Sequence, residues 1–172
     1  MPITPFHFGP GALFKAIGGR RISFTVFVLS QAAIDSEPIL FAVLDRPPLH
    51  RFLHTYLGAL LLALAIFYPL AKIADKFKRW WNSRLSPAQA VWLAALAPTI
   101  WQVALTSSLV GCLSHVLIDS VMHHDMLPLA PFAEGNGLWR ALSLERLHLV
   151  CVLTGVAGLI AWITLRRLRH RA

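Results

Sequence analysis

Charge is scarce in this sequence, and acid is scarcer still. Only 14% of the 172 residues are charged, and eight Asp and Glu stand against sixteen Lys and Arg. A soluble domain carries about a quarter of its residues charged, so the deficit argues against a water-soluble globule. The same composition excludes extended disorder, a collagen-like chain and a coiled coil. Cysteine is rarer again: Cys112 and Cys151 lie inside apolar runs without Cys-x-x-Cys spacing, and read as small hydrophobes. No internal repeat and no low-complexity linker is evident. The opening Met1-Pro2-Ile3-Thr4-Pro5 lacks a basic segment leading into an apolar one, so no cleavable signal peptide is expected.

What the chain has instead is apolar sequence in long runs, 56% hydrophobic overall with a mean hydropathy of +0.61. These features predict one integral membrane domain over residues 1–172, an all-α, small polytopic transmembrane bundle with about four membrane segments, one short or kinked. Residues 22–34 are apolar but only about 20 Å long as a helix, short of a core of about 30 Å. They are extended by the turn Gly11-Ala12-Leu13-Phe14-Lys15-Ala16-Ile17, or they form a partial span. Residues 52–73 give the clearest transmembrane helix. Residues 88–122 are too long for one simple span, and Pro98 disfavours helix at Ala97. The segment therefore divides into a leading helix over 86–97, with Ser86 as N-cap and Pro87 at its first position, and a span over 99–122. Residues 147–165 form the last span, and residues 123–145 a connecting loop.

The formal charge of +8 and isoelectric point near 10.5 would suit nucleic acid in a soluble protein. Here the cations sit in blocks beside apolar runs, as membrane flanks facing anionic lipid do, so membrane lipid and not nucleic acid is the expected partner. Lys72, Lys76, Lys78, Arg79 and Arg84 fill one loop. Arg166, Arg167, Arg169 and Arg171 fill the tail, and Lys15, Arg20 and Arg21 precede the first run. Only Arg46, Arg51, Arg140 and Arg146 lie in the other two loops. This asymmetry predicts a multi-pass membrane protein with its basic loops and C-terminus in the cytoplasm, and Trp80-Trp81 in the interfacial belt.

The histidines and carboxylates collect at the opposite ends of these segments. Residues 52–73 begin beside His50 and His54, residues 99–122 end with His115 and Asp119 and lead into His123, His124 and Asp125, and residues 22–34 end at Asp35 and Glu37. The final span opens with Glu145 and His148. If the helices alternate, all four clusters meet on one face of the bundle. His50/His54 and His115/Asp119 are both spaced i,i+4, which on a helix stacks two donors close enough to grip one cation. Imidazole and carboxylate without a nearby thiolate suit Zn²⁺, with Mn²⁺ and Fe²⁺ as alternatives. A carboxylate within an apolar span costs several kcal/mol, on the order of a hydrogen bond or more, unless paired or wet. A divalent cation would neutralise Asp35, Glu37 and Asp119 together. The bland alternative pairs Asp119 with Arg51 and leaves the histidines bonded near the interface.

Five stretches occur in an informative order: Phe6-His7-Phe8-Gly9-Pro10-Gly11, Ile34-Asp35-Ser36-Glu37-Pro38, His50-Arg51-Phe52-Leu53-His54-Thr55, Ser114-His115-Val116-Leu117-Ile118-Asp119 and Leu127-Pro128-Leu129-Ala130-Pro131-Phe132. Together they resemble the bacterial LexA-regulated, membrane-bound metal-dependent hydrolase family. The resemblance covers residues 1–60 and 111–132. It implies a bundle of membrane helices, His7, Asp35, His50, His54, His115 and Asp119 as metal ligands, and hydrolysis of a lipid-like or phosphoester substrate. His123, His124 and Asp125 stand where other members often carry a Thr-Pro turn, and are either extra ligands or a solvated loop. On this reading one or two divalent ions activate water, Glu37 is the general base, and Arg51 clamps a phosphate oxygen. Glu145 and His148 orient ligands or add one. Two other readings use the same residues. A non-catalytic metal-binding membrane protein keeps the ligands without turnover, whereas a helical membrane scaffold needs no convergence at all.

Overall fold

A computed structural model describes residues 5–95 and 97–171, the last three as backbone only. Its elements are α1 (Phe8–Gly18), α2 (Phe24–Ile34), α3 (Ser36–Val43), α4 (Tyr56–Asn82), α5 (Pro87–Leu93), α6 (Trp101–Met122) and α7 (Leu144–Arg171). Short 3₁₀ turns precede α1, α2 and α4, and the described residues contain no strand. Four helical stretches are long and apolar enough to cross a membrane: Phe24–Val43, Tyr56–Asn82, Trp101–Met122 and Leu144–Leu168. The chain is therefore an all-helical membrane protein, as its composition implied.

The short first span is completed in a way the apolar run alone did not show. The segment does not run back into residues 11–17. Gly19 takes a positive φ of 53°, which separates α1 as a helix of its own. The span lengthens forward through α3 instead. Pro38 has no N–H to offer the Ile34 carbonyl, so the helix bends at Asp35. Backbone bonds nevertheless pass over the bend, from Asp35 N to Gln31 O (3.1 Å) and from Ile39 N to Asp35 O (3.2 Å). The joint turns Asp35 and Glu37 into the bundle, and both are buried.

Other boundaries moved for local reasons. Residues 52–54 form a 3₁₀ turn, and α4 starts at Tyr56 once the Thr55 hydroxyl accepts from Gly58 N (2.9 Å). Ser86 caps α5 with the predicted Pro87 next to it, and Gln89 answers as the other half of a capping box. That helix ends at Leu93, before residue 97. Beyond it the chain is extended and tied to α4, with Asn82 bracketing Ala95 and Asp75 accepting from Thr99 N and Oγ1.

Packing places α4 against α6, α2 against both, and α1 against α7. Small residues allow the close approach: Ala59, Ala63, Cys112 and Val116 are fully buried with Ile34 and Met126. Ser108 Oγ donates to the Ala63 carbonyl across the α4–α6 contact. Both cysteines are buried free thiols. At one end of the bundle, Lys78 reaches Thr99 Oγ1, Ser23 N reaches Ser107 Oγ, and Arg166 reaches the Val91 carbonyl. The basic blocks belong to this end, apart from the side chains of Arg169 and Arg171, which lie outside the described residues, as does the segment 1–4 read for a leader.

Gly111 marks the tightest point between α2 and α6, because a Cβ there would run into Ser30 Oγ and crowd the Phe27 carbonyl. Gly111→Val is therefore expected to cost about 1–3 kcal/mol through overpacking. Thermal unfolding in detergent should show a lowered midpoint; an unchanged midpoint would contradict this helix contact.

Candidate metal centre

At the other end of the bundle, separate elements deliver imidazoles and carboxylates to one buried point. His115 and Asp119 lie one turn apart on α6, and Nε2 of His115 is 3.0 Å from Asp119 Oδ2. The joint between α2 and α3 brings Asp35 Oδ1 to 3.4 Å from the same Nε2. The 3₁₀ turn before α4 brings His54 Nε2 to 3.7 Å from Asp119 Oδ2, and the turn before α1 brings His7 Nε2 to 3.1 Å from Asp119 Oδ1. Asp35, His54, His115 and Asp119 each offer a donor atom within 4.8 Å of the other three, all from buried side chains.

None of these approaches is aligned as a hydrogen bond. Nε2 of His7, His54 and His115 and Oδ1 of Asp119 are buried without a hydrogen-bond partner. Buried polar atoms left in that state cost about 1–3 kcal/mol each. The spacing is that of ligands around one ion: two donors at about 2.0–2.1 Å from a tetrahedral cation lie about 3.4 Å apart. The donor set and the orphaned atoms thus fit a divalent cation.

The rings are also held from behind, through Nδ1. Gln31 Nε2 donates to the Gly111 carbonyl (3.0 Å), so its Oε1 must accept, and His115 Nδ1–H donates to it at 2.5 Å. His54 Nδ1–H donates to Glu37 Oε2 (3.0 Å). Each ring therefore turns its Nε2 to the common point, the arrangement by which a carboxylate or amide orients a metal-binding histidine. Glu37 also accepts the backbone N–H groups of Arg51 (2.9 Å) and Leu53 (2.9 Å). Both of its oxygens accept hydrogen bonds, so this carboxylate positions His54 and anchors the turn at residues 51–53.

His50 and His54 do meet, but not as a helical pair. Arg51 has φ −120° and ψ −129°, which breaks any helix between them. Carboxylates take over the amide bonding there, Asp125 Oδ2 accepting from Leu49 N and His50 N and Glu37 from Arg51 N and Leu53 N. The two rings end up edge to face, with centroids 4.8 Å apart.

A second group, His50, His123 and Asp125, lies beside the first. The His50 ring stacks on His123 at 4.2 Å, and its Nδ1 donates to Asp125 at 2.9 Å. Burial pushes the His123 ring down to about 4. Burial, and after it the neighbouring His54, lowers His50 as well. Burial alone would raise Asp125, but the His50 ring and the amides of His50 and Leu49 hold its carboxyl below the ordinary range. Both rings are thus neutral at neutral pH, with a lone pair to give.

Other sequence candidates fall outside. The Arg51 guanidinium bonds the Pro48 and Arg46 carbonyls and covers the Phe41 ring at 3.7 Å, which rules out both the phosphate clamp in this arrangement and the pairing with Asp119. His124 is exposed near Trp139, and Glu145 is exposed. His148 stacks on Phe6 at 4.1 Å; its Nε2 is also buried without a hydrogen-bond partner, but it belongs to neither donor group among the described residues. Gln31 was missed by sequence reading, although a glutamine one helical turn before Asp35 in an apolar run was the available signal.

Comparison with protein-family models, with curated proteins and with solved structures gives no match for this chain.

Two expectations separate the roles. Glu37→Gln leaves one oxygen where three donors need acceptors and should weaken Zn²⁺ binding by about 10- to 100-fold in a competition titration. Arg51→Ala should leave the affinity within about twofold, its side chain pointing elsewhere. Equal losses in both variants would contradict the assignment.

Proposed function

We propose that this chain is a membrane-bound, metal-dependent hydrolase of the LexA-regulated family it resembles. The observation that carries the reading is the convergence of three buried, unpartnered imidazole nitrogens on Asp119 at one end of an apolar bundle. A scaffold has no use for that arrangement, and its cost favours a bound cation. Asp35, His54, His115 and Asp119 would hold the ion, with His7 against the second oxygen of Asp119. Zn²⁺ is favoured over Mn²⁺ and Fe²⁺ by the mix of imidazole and carboxylate. When bound, such a cation supplies the Lewis acidity that hydrolysis of an ester or phosphoester requires.

The chain's own residues supply position and exclusion of water. Gln31 and Glu37 fix two rings so that they face the ion before any substrate arrives. Ile34 and Val116, next in sequence to Asp35 and His115, are buried in an apolar cluster with Met126, which would limit water on that side. An apolar groove of about 320 Å³ is lined by Tyr56, Leu57, Leu60, Leu113, Pro128 and Phe132 among others, with no residue of the cluster in its lining. Its apolar lining suits the hydrocarbon part of a lipid-like substrate. The positive-inside tendency puts the basic end in the cytoplasm of a bacterium and the centre on the far side of the inner membrane.

Hydrolysis is tested with purified, zinc-loaded protein on lipid phosphoesters and carboxylic esters in mixed micelles. Activity should disappear with a chelator and in Asp119→Asn, and return to the wild type with Zn²⁺. Metal binding with no turnover across both ester classes would leave a metal-binding protein and reject the hydrolase. Orientation is tested separately with Arg84→Cys and Gly137→Cys, both exposed positions. An impermeant thiol reagent added outside intact cells or spheroplasts should label only the second. Equal labelling would overturn the topology.

A further inference from the structure

His50, His123 and Asp125 are not needed to hold the first ion, yet they are built as carefully as the groups that are. We propose that they form a second divalent-cation position at the mouth of the bundle, adjoining the first, so that the complete centre holds two ions. This rests on the metal-dependent reading above, which allows one or two ions, and goes beyond it by assigning a second ion to His50, His123 and Asp125.

The three side chains each offer a donor atom within 4.8 Å of the other two. Their chemistry repeats that of the inner group, imidazole and carboxylate without thiolate, which suits a divalent cation. The backbone that carries them is fixed on several sides. His123 N donates to the Asp119 carbonyl (2.8 Å), and Asn136 Nδ2 donates to the His123 carbonyl (3.1 Å). Asp125 Oδ2 ties down Leu49 N and His50 N. Tyr56 N donates to the Pro128 carbonyl (2.8 Å), and between these ties Met126 is fully buried. A solvated loop has no reason for such anchoring. His50 Nδ1 and Asp125 satisfy each other, whereas the His123 ring makes no hydrogen bond among the described residues. Its contact is the stacked face of His50, which leaves its nitrogens available to a ligand.

Continuity with the inner group gives the position its meaning. The His50 ring lies edge to face with His54, itself an inner donor. Two-metal hydrolytic centres place their ions about 3.5–4 Å apart, and donor groups that share a ring contact are compatible with that closeness. The outer position is also the more open, the Asp125 side chain being 19% exposed against 4% for Asp119. Its ion should exchange first, and a chelator should remove metal in two stages.

The test is a count and a spectrum, independent of activity. Purified full-length protein in detergent is loaded with Mn²⁺, freed of excess by gel filtration, and examined by elemental analysis and electron paramagnetic resonance. The wild type should hold about two Mn²⁺ per chain with an exchange-coupled spectrum. His123→Ala should hold about one, with the hyperfine pattern of an isolated ion. Asp125→Asn, which keeps an acceptor for the Leu49 and His50 amides, should move in the same direction if the alanine variant fails to fold. A wild type that binds one uncoupled ion overturns the second position and leaves the first standing. Two ions retained in both variants also overturn it. A wild type that binds none overturns the metal reading as a whole.

Discussion

Carboxylates and imidazoles facing one another inside an apolar helical bundle set the terms for the rest of this structure. Asp35 and Asp119 cannot stay charged at that depth alone, since an isolated carboxylate there costs several kcal/mol, on the order of the net stability of many domains. Three Nε2 atoms lie close to them without hydrogen-bond alignment, and are themselves left without a hydrogen-bond partner. A cation between them satisfies all of these groups at once. The bend at Asp35, the tight turn at residues 52–54 and the anchored loop after α6 all serve the same convergence. Each departs from regular helix where a polar side chain must turn inward.

The groups behind the rings show how the arrangement is kept rigid. Three imidazoles take their Nδ1 partner from three different elements: Gln31 on α2, Glu37 on α3 and Asp125 in the loop after α6. The two carboxylates do a second task, accepting backbone N–H groups from residues 49–53, which no α-helix or sheet satisfies. Ring orientation and the path of the α3–α4 connection are thus one network, in which loss of a member is felt by both. This coupling explains why Glu37 sits as a positioning group, bonded at once to the His54 ring and to the backbone of residues 51–53.

Much of this was legible in the sequence, and the failures have physical causes. The apolar cores of the spans, the Ser86 cap and the His115/Asp119 pair follow from hydropathy, capping chemistry and helical spacing, which tertiary contacts did not override. Gathering of the polar groups at one end followed from simple alternation of spans. The reading of His50 and His54 as a helical pair failed because carboxylates from elsewhere in the chain claim the amides between them, which no local pattern reveals. The first span was cut short at Asp35 because an acid normally ends an apolar run, whereas here the acid faces inward and the helix continues. Arg51 lies in sequence beside a ligand candidate but points to Phe41 and two carbonyls, since backbone direction and not proximity decides where a side chain goes.

X-ray absorption at the zinc edge of the metal-loaded protein tests the central claim most directly. Ligation at this end of the bundle predicts a coordination sphere of nitrogen and oxygen at about 2.0–2.1 Å, with the multiple scattering of imidazole and no sulfur. A sulfur shell at about 2.3 Å would place the ion at Cys112 or Cys151 instead, and a sphere of water oxygens alone would mean that these buried imidazoles hold no metal.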